Sequence, residues 1–377
     1  MNRRAVIAGV GHSDFGKIPD RSAWELEAEA VSKAAVDAGF SPHEIDGLLT
    51  DPGPVQGILD GITPHFLRLG AALGLDPTYA GSEILGGAGS VAIVERAALA
   101  VEAGLCDVCV CVYGDSALSS SSAYGYGRGD ESAFGFFGAI GLHGLPAQRH
   151  MHQYGTRREQ LGEIAVAARA HATRTPHAQK RREITIEQYM NEAPIVEPLC
   201  RLDCCLVSDG AAAVIVTTQE RAADLRVPGI RILGHAQAHS LSTYASPDHF
   251  DRLPASRSGP AAFGQAGVTP DDIDVALLYD CFSIVVLLQL EDYGFCKKGE
   301  GGAFVEDGRI GPGGSLPVNT SGGLLAEAYG GGMLHVVEAV RQLRGEAGAR
   351  QVDDTRLALV SGHGLGMNTH ATLVLGN

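Results

Sequence analysis

The stretches AGFSPHEIDGLLTD at 38–51 and AGVTPDDIDVALLYD at 266–280 repeat one pattern in this chain of 377 residues. In each, Ala-Gly is followed by Ser or Thr before Pro, then by an acidic residue, Ile-Asp and an apolar run. The Gly is typical of a helix that ends in the left-handed region, and the Pro of a turn that needs no backbone donor. The repeat therefore predicts two copies of one helix-turn-strand unit, related by a pseudo-twofold axis.

The sequence around the two copies continues the parallel. The helix before the first copy starts with a capping box at 22–25. After the first copy, the turn GGAGS opens an apolar helix at about 90–103, which the strand CDVCVCVYG follows. After the second copy, VNTSGG precedes a helix at about 330–343 and the strand LALVSG. The order of elements predicts an α/β fold in which both halves share one topology.

Residues 116–200 interrupt the first half and form a predicted insertion. It begins with SALSSSSAYGYGRGDESAFGFFG, whose Ser and Gly content is typical of a mobile loop. TRREQLGEIAVAARAHA then has helical periodicity, with Thr156 as its predicted cap. We therefore expect an N-terminal half at 1–115 and 201–220 and a C-terminal half at 221–377. The insertion is expected to cover the site as a lid or to join two subunits.

Charge and composition argue against several classes of protein. A net charge of -15 at pH 7 disfavours nucleic acid as a partner, because phosphate binding needs clustered Lys and Arg. The opening segment MNRRAVIAGVG has an apolar run too short for a signal peptide or a membrane span, so we expect a cytoplasmic protein without membrane contact. The eight cysteines lie in apolar, strand-like contexts, which favours free thiols over disulfides.

CDVCVC and HMH are the two segments that could supply metal ligands. A structural zinc site needs four convergent ligands, whereas CDVCVC alternates like a buried strand and has no second cluster nearby. His150 and His152 point to different faces of a helix, which favours surface positions or contact with a cofactor phosphate. We therefore expect no bound metal.

Seven segments together resemble a known family. In chain order they are SDFG, GGAGS, RHMHQYGTRREQLGEIA, PLCRLDCCLVSDGAAAVIV, YDCFSIVVLLQLEDYGFC, NTSGGLLAEAYGGG and GHGLGM. They resemble the sterol-carrier-protein-x branch of the thiolase superfamily over nearly the whole chain. The resemblance implies a thiolase-like fold of two duplicated α/β halves in a five-layered α-β-α-β-α arrangement, and a homodimer. The strand CDVCVCVYG is then a candidate for the dimer interface.

Three positions depart from the pattern of that branch. The branch has a nucleophilic cysteine at the elbow where this chain has Gly86, and glycine cannot form an acyl-enzyme. It has histidine before Asp-Cys-Phe, where this chain has Tyr279, and Gly-His-Pro after the SGG turn, where this chain has Ala-Tyr329-Gly. These substitutions resemble the thiolase-like aldolases of steroid side-chain degradation, which use tyrosines and no cysteine.

The resemblance implies retro-aldol cleavage of a β-hydroxyacyl-CoA that carries a tertiary alcohol, giving a ketone and a short acyl-CoA such as propionyl-CoA. That reaction needs a base for the hydroxyl proton, stabilisation of an enolate and an acid for the α-carbon. Tyr279 and Tyr329 are the candidates for the proton transfers, with either as base. Asn319 and His363 resemble polar positions that hold the thioester oxygen or its waters, and Gly86 leaves room for a branched or cyclic substrate.

The resembling aldolases act with a small partner protein that has an OB-fold and often a zinc ribbon. Such a partner would complete the acyl-CoA site of this acidic chain, in which no clear motif for the CoA phosphates occurs. We expect no cofactor, because the CoA thioester is part of the substrate. Two alternatives remain open: an acyl transferase or condensing enzyme without the usual cysteine, and a non-catalytic subunit that binds acyl-CoA or lipid.

Overall fold

The computed structural model describes residues 3–59, 63–120, 133, 138–225, 227–240 and 250–377. The strands are β1 (Ala5–His12), β2 (Gly47–Pro52), β3 (Tyr79–Ser82), β4 (Val108–Ser116), β5 (Pro194–Val196), β6 (Leu199–Cys200), β7 (Asp209–Thr218), β8 (Ile230–His239), β9 (Val275–Leu277), β10 (Leu357–Gly364) and β11 (Thr369–Gly376). The helices are α1 (Ala23–Ala38), α2 (Pro54–Leu59), α3 (His65–Leu73), α4 (Gly89–Glu102), α5 (Gly138–Tyr154), α6 (Arg158–Ala172), α7 (Ile186–Met190), α8 (Gln219–Ala222), α9 (Ala255–Ala266), α10 (Ser283–Asp292), α11 (Gly301–Phe304), α12 (Gly323–Ala326) and α13 (Met333–Arg344). Among the described residues, no helix has the length and apolar character needed to cross a membrane. Most of the Ser- and Gly-rich segment for which a mobile loop is predicted lies outside the described residues.

Both copies of the repeated unit have the local structure that the sequence predicts. α1 ends at Gly39 with a φ of 77°, and α9 ends at Gly267 with a φ of 71°, so both glycines lie in the left-handed region. Pro42 and Pro270 each begin a one-turn 3₁₀ helix before the following strand. The predicted capping box at the start of α1 is also present.

The main sheet of the described chain has the strand order β3-β2-β4-β7-β1-β8-β11-β10-β9. β1 and β8 meet at its centre and pair antiparallel, with Val6 opposite Arg231. On the outer side of β1 the order is β7, β4, β2 and β3. In chain order these are the fifth, fourth, second and third strands of the first half. Outward from β8 lie β11, β10 and β9, and Val318 bridges Ala276 of β9 in the place of a third strand. The shared topology confirms the predicted duplication.

Helices cover both halves of the sheet and also lie between them. α4 and α13 contact strands of both halves, whereas α1 packs on β1, β4 and β7, and α9 packs on β8 and β11. The buried apolar residues accordingly form three clusters, one around α4 and α13 and one on the outer side of each half. When each half of the main sheet is counted as one layer, the order is helix, sheet, helix, sheet, helix. This order confirms the predicted five-layered arrangement.

β4 is apolar at nearly every position because cores cover both of its faces. Val108, Val110 and Val112 face the outer core of the first half, while Cys109 and Cys111 face the central core around α4 and α13. β4 also pairs with β2 on one side and with β7 on the other. The prediction that the strand CDVCVCVYG forms a dimer interface is therefore wrong.

The connection from β4 to β7 carries the insertion. Its helices α5 and α6 pack against α10, and α6 also packs against α12, so the insertion extends the outer layer of the C-terminal half. The chain returns to the first half at Asp209, where β7 begins, rather than at 201 as predicted. Before that point the Cys205 N–H donates to the Cys281 carbonyl at 2.9 Å, which attaches this segment to the second half.

Thr156 does not cap α6 as predicted, because its hydroxyl serves a buried histidine instead. Arg157 occupies the N-cap position, and the Thr156 hydroxyl lies 2.7 Å from Nδ1 of His150. Nε2 of His150 donates to the Glu291 carboxylate at 3.1 Å. His150 is therefore a buried link from α5 to α10, and its predicted surface position is wrong, whereas His152 is exposed as predicted.

Candidate active site

Tyr279 follows β9 and is held by its own backbone. Its N–H donates to Oγ of Ser361 on β10 at 2.9 Å, and its carbonyl accepts from Nε2 of Gln289 on α10 at 2.8 Å. The Ser361 hydroxyl also donates to the Gln289 side chain, which closes the network. These bonds fix Tyr279 at the carboxyl ends of two parallel strands, a frequent location of binding sites in α/β proteins.

Tyr329 lies between α12 and α13, and Asp280 connects that segment to Tyr279. The Asp280 carboxylate accepts from the N–H groups of Leu324 and Leu325 at 2.9 and 3.2 Å, at the beginning of α12. The Tyr329 N–H donates to the Ser208 hydroxyl at 2.9 Å. As a result, the hydroxyl oxygens of Tyr279 and Tyr329 lie 2.9 Å apart, within hydrogen-bond distance.

Asn319 bonds to the backbone of Leu278, the residue before Tyr279. Its φ of 55° places it in the left-handed region. Its side-chain amide donates to the Leu278 carbonyl and accepts from the Leu278 N–H, both at 2.8 Å. Both ends of the amide are thus occupied, and Asn319 does not line the cavity. The structure makes Asn319 a residue that positions Leu278 and the adjacent Tyr279, rather than a ligand of a thioester oxygen.

The glycines of the elbow before α4 face different neighbours. A Cβ atom on Gly86 would lie 3.0 Å from the Leu365 backbone nitrogen, so the missing side chain of Gly86 points at the β10–β11 hairpin. A Cβ atom on Gly87 would lie 2.1 Å from the hydroxyl oxygen of Tyr279. Gly87 lines the cavity and Gly86 does not. The sequence predicts that the missing side chain of Gly86 leaves room for the substrate. In the structure Gly87 leaves that room instead, and Tyr279 fills part of it.

One cavity of about 440 Å³ contains the tyrosine pair. A volume of this size suits a small-molecule ligand. Its described lining is mostly apolar, with a few polar groups that converge on the tyrosines. The residues that line it are Gly87, Gly138, Ala139, Ile140, His143, Ile195, Cys204, Cys205, Val207, Tyr279, Cys281, Phe282, Tyr329, His363, Gly364 and Gly366.

Burial keeps both tyrosines protonated at neutral pH. Tyr279 and Tyr329 are 2% and 9% exposed. Loss of solvation raises the pKa of each phenol well above its ordinary value near 10, because the interior disfavours the phenolate. The pair thus holds two protons and can pass one along the bond between the hydroxyls.

His143 is a cavity residue that the sequence interpretation missed. It lies on α5, and its ring stacks on Phe282 with centroids 4.4 Å apart. Its Nε2 is 3.4 Å from Nε2 of His363 on β10. Burial lowers the pKa of His143 to about 4 and that of His363 well below 6.5, so both imidazoles are neutral. A single histidine in a helix with no spacing motif carries no local signal of this role.

The cysteines of the cavity do not replace the missing nucleophile. All eight cysteines of the chain are free, as predicted. Burial raises the pKa of Cys281 well above 9 and that of Cys204 to about 12, and it also raises the pKa of Cys205. Thiols in this state are protonated and unreactive at neutral pH, because the thiolate is the nucleophile. Covalent catalysis by cysteine is thus disfavoured at this site.

Asp51 is a second group that the sequence interpretation did not identify. It lies at the end of β2, is 3% exposed, and accepts from the Ser90 hydroxyl in the first turn of α4 at 2.6 Å. Burial raises the pKa of the Asp51 carboxyl to about 8. Its charge, when present, further raises the pKa of Tyr329. A neutral Asp51 therefore belongs to the environment of the tyrosine pair.

Comparisons with known proteins extend over nearly the whole chain. Residues 235–377 match the family model described as thiolase C-terminal domain-like. The steroid side-chain-cleaving aldolase of Thermomonospora curvata is 36% identical, covering 96% of this chain and 95% of the relative. The 17-hydroxy-3-oxo-4-pregnene-20-carboxyl-CoA lyase of Mycobacterium tuberculosis is 37% identical, covering 92% of each. The solved structure of an Ltp2-ChsH2(DUF35) aldolase is 36% identical and superposes with a TM-score of 0.89, covering 99% of this chain and 97% of that one.

Proposed function

Because the chain belongs to the thiolase superfamily, in the branch that contains the steroid side-chain-cleaving aldolases, we propose that it is a carbon-carbon lyase. Its reaction is retro-aldol cleavage of a β-hydroxyacyl-CoA with a tertiary alcohol on a steroid side chain. The products are a ketone and a short acyl-CoA such as propionyl-CoA. The observation that carries this proposal is the hydrogen-bonded pair of Tyr279 and Tyr329 in a cavity without a reactive thiol.

The tyrosine pair accounts for every proton of the reaction. The carbon-carbon bond breaks as the tertiary hydroxyl gives its proton to the oxygen of one tyrosine, and the electron pair of that bond becomes the enolate of the departing acyl-CoA. In the same relay this tyrosine passes its own proton along the 2.9 Å bond to the second tyrosine. The second tyrosine gives its proton to the α-carbon of the enolate, so both residues end the reaction as phenols.

The surroundings of Tyr279 favour it as the base. Its hydroxyl lies against Gly87, in the 3₁₀ turn that continues into α4. The N-terminal end of a helix carries partial positive charge, which stabilises the negative charge that develops on this oxygen as its proton passes to Tyr329. Tyr329 is then the acid. His363, whose ring centroid lies 6.4 Å from that of Tyr279, is proposed to face the thioester end of the substrate.

The test is an assay with a β-hydroxyacyl-CoA that bears a tertiary alcohol, using the native chain, Tyr279→Phe and Tyr329→Phe. We expect ketone and shorter acyl-CoA from the native chain and a loss of about 10²-fold or more in each variant. Tyr154→Phe is the matched control, because its hydroxyl bonds Asp251 outside the cavity. Acyl-CoA binding without cleavage would support a non-catalytic subunit instead, and an acyl adduct in mass spectra would support an acyl transferase.

We also propose a small partner protein with an OB-fold and a zinc ribbon. The support is the similarity to the Ltp2-ChsH2(DUF35) aldolase and two exposed apolar residues near the cavity. Ile195, which lines the cavity, is 59% exposed, and Leu365, between two lining glycines, is 49% exposed. Co-purification of the tagged chain with such a protein, and its loss in Ile195→Asp, would agree with this proposal. Full activity of the chain alone would contradict it.

A homodimer is proposed at the edge strand β3. In the described sheet, β3 pairs with β2 only, and Ile84 just after it is 73% exposed. Light scattering of the native chain should give twice the chain mass, and Ile84→Asp should give the monomer. Val36→Asp is the matched control, because Val36 is 78% exposed on α1, away from this edge. A native chain that elutes as a monomer would rule out this interface.

A further inference from the structure

Three side chains from separate elements converge on the wall of the cavity. His143 comes from α5, Cys281 follows β9, and His363 lies on β10. One ligand atom from each lies within 4.8 Å of the others. Nε2 of His143 is 3.4 Å from Nε2 of His363 and 3.9 Å from Sγ of Cys281. The set contains two imidazoles and one thiol, which are the ligands that zinc and cobalt prefer.

The hydrogen bonds of His143 aim a lone pair at this point. Its Nδ1 lies 2.8 Å from the Ala139 carbonyl, which can only accept, so Nδ1 carries the proton. The neutral ring therefore presents an unprotonated Nε2 to His363 and Cys281. A histidine that donates its other N–H to a backbone carbonyl is the usual arrangement of a metal ligand, because that bond fixes the tautomer and the ring.

The spacing matches a tetrahedral site. Bonds of about 2.0 Å to nitrogen and about 2.3 Å to sulfur place two nitrogens about 3.3 Å apart, and nitrogen and sulfur about 3.5 Å apart. The observed separations of 3.4 and 3.9 Å lie within about 0.4 Å of these values, and the ligand atoms of His363 and Cys281 lie within 4.8 Å of each other. Binding through Nε2 of His363 disturbs no bond at its Nδ1, which has no hydrogen-bond partner among the described residues.

We propose that His143, Cys281 and His363 bind one divalent cation of the zinc class. Cys281 releases its proton to solvent as the sulfur binds, since the thiolate is the ligand. Three protein ligands leave the fourth position open, and it faces the cavity lined by Tyr279 and Tyr329. That position takes an oxygen ligand, either water or a carbonyl oxygen of a molecule in the cavity. The site exists independently of the reaction proposed above.

Cobalt binding tests the site without any assay of activity. The purified chain is treated with chelator, dialysed and titrated with Co²⁺ under reducing conditions. We expect one bound ion per chain, a thiolate-to-cobalt charge-transfer band and visible bands with the intensity of four-coordinate cobalt. Added Zn²⁺ should remove these bands by displacing the cobalt.

Two variants assign the ligands. Cys281→Ser should lose the charge-transfer band, and His143→Gln should lower the affinity for Co²⁺ at least tenfold, a common cost of removing a ligand. Cys296→Ser and His152→Gln should match the native chain, because neither residue lies in the cluster. Near-ultraviolet circular dichroism checks that each variant is folded. Absence of the charge-transfer band at saturating Co²⁺ in the native chain, or its persistence in Cys281→Ser, would overturn the proposal.

Discussion

A Cβ atom on Gly87 would lie 2.0 Å from Cζ of Tyr279, which is far shorter than a van der Waals contact. The aromatic ring therefore occupies space that only a glycine leaves open. This contact connects the elbow before α4 with the end of β9, which belong to different halves of the chain. The position of Tyr279, and with it the bond to Tyr329, depends on the absence of one side chain.

Gly87→Ala should displace Tyr279 and reduce cleavage about 100-fold or more, because misplacing a reacting group by about 1 Å has effects of this size. Gly264→Ala is the matched control, since a Cβ atom there meets nothing within 4 Å and α9 gains a better helix former. The measurement is kcat/KM for both variants, with melting temperatures alongside. Native kcat/KM in a folded Gly87→Ala variant would contradict the placement of Tyr279.

A proton-exchange experiment should distinguish the roles of the two tyrosines. If Tyr329 protonates the α-carbon, Tyr329→Phe should lose deuterium incorporation into propionyl-CoA in D₂O by about 100-fold. Tyr279→Phe should keep most of that exchange but lose cleavage, because Tyr279 is proposed to accept the proton of the substrate hydroxyl and not to protonate the α-carbon. Mass spectrometry of the recovered thioester reads the exchange. The reverse pattern would exchange the roles of base and acid.

Asp51→Asn should stabilise the protein at alkaline pH. Burial raises the pKa of Asp51 to about 8, whereas the unfolded chain ionises near 3.8. The folded state thus holds a proton that the unfolded state has lost, and its stability falls as pH rises from about 4 to about 8. We expect the advantage of the variant to be near zero at pH 4 and to reach at most roughly 6 kcal/mol above pH 8, since each unit of pKa shift is worth about 1.4 kcal/mol.

Urea denaturation of the native chain and of Asp51→Asn across that pH range gives this difference. Asp353→Asn, at an exposed carboxyl, is the control and should follow the native chain. A constant difference between Asp51→Asn and the native chain at all pH values would show that Asp51 is ionised in the folded protein.

Removing the charge of one partner in the buried pair of Glu338 and Arg350 should strongly destabilise the folded protein. Two guanidinium nitrogens of Arg350 donate to the Glu338 carboxylate at 2.8 to 3.0 Å, and the Thr320 hydroxyl donates at 2.7 Å. Glu338→Gln leaves a buried cation without its counter-charge and should cost about 3 kcal/mol or more. Glu346→Gln removes an exposed carboxylate just after the same helix, and it should cost less than about 1 kcal/mol because Arg344 keeps its bond to Asp37. Equal costs in urea denaturation would contradict this view of the pair.

The amino-acid sequence is enough to predict the duplicated α/β plan and two residues of the candidate site. Gly39 and Gly267 end helices in the left-handed region, and this preference is local, so it can be read from the repeat. Tyr279 and Tyr329 stand out in the sequence because they interrupt otherwise familiar motifs. Caps, turns and departures from a pattern are properties of short segments, which is why they are visible without coordinates.

Which side chains lie in contact depends on how the distant segments pack. This packing turned the Asn319 amide onto the Leu278 backbone, placed Gly87 rather than Gly86 beside Tyr279, and buried both faces of β4. It also brought His143 within 3.4 Å of His363, although 220 residues separate them. Such contacts depend on how the insertion and the two halves pack on one another. No local preference encodes that packing, because the free energy that selects it comes from burying the surfaces of distant segments together.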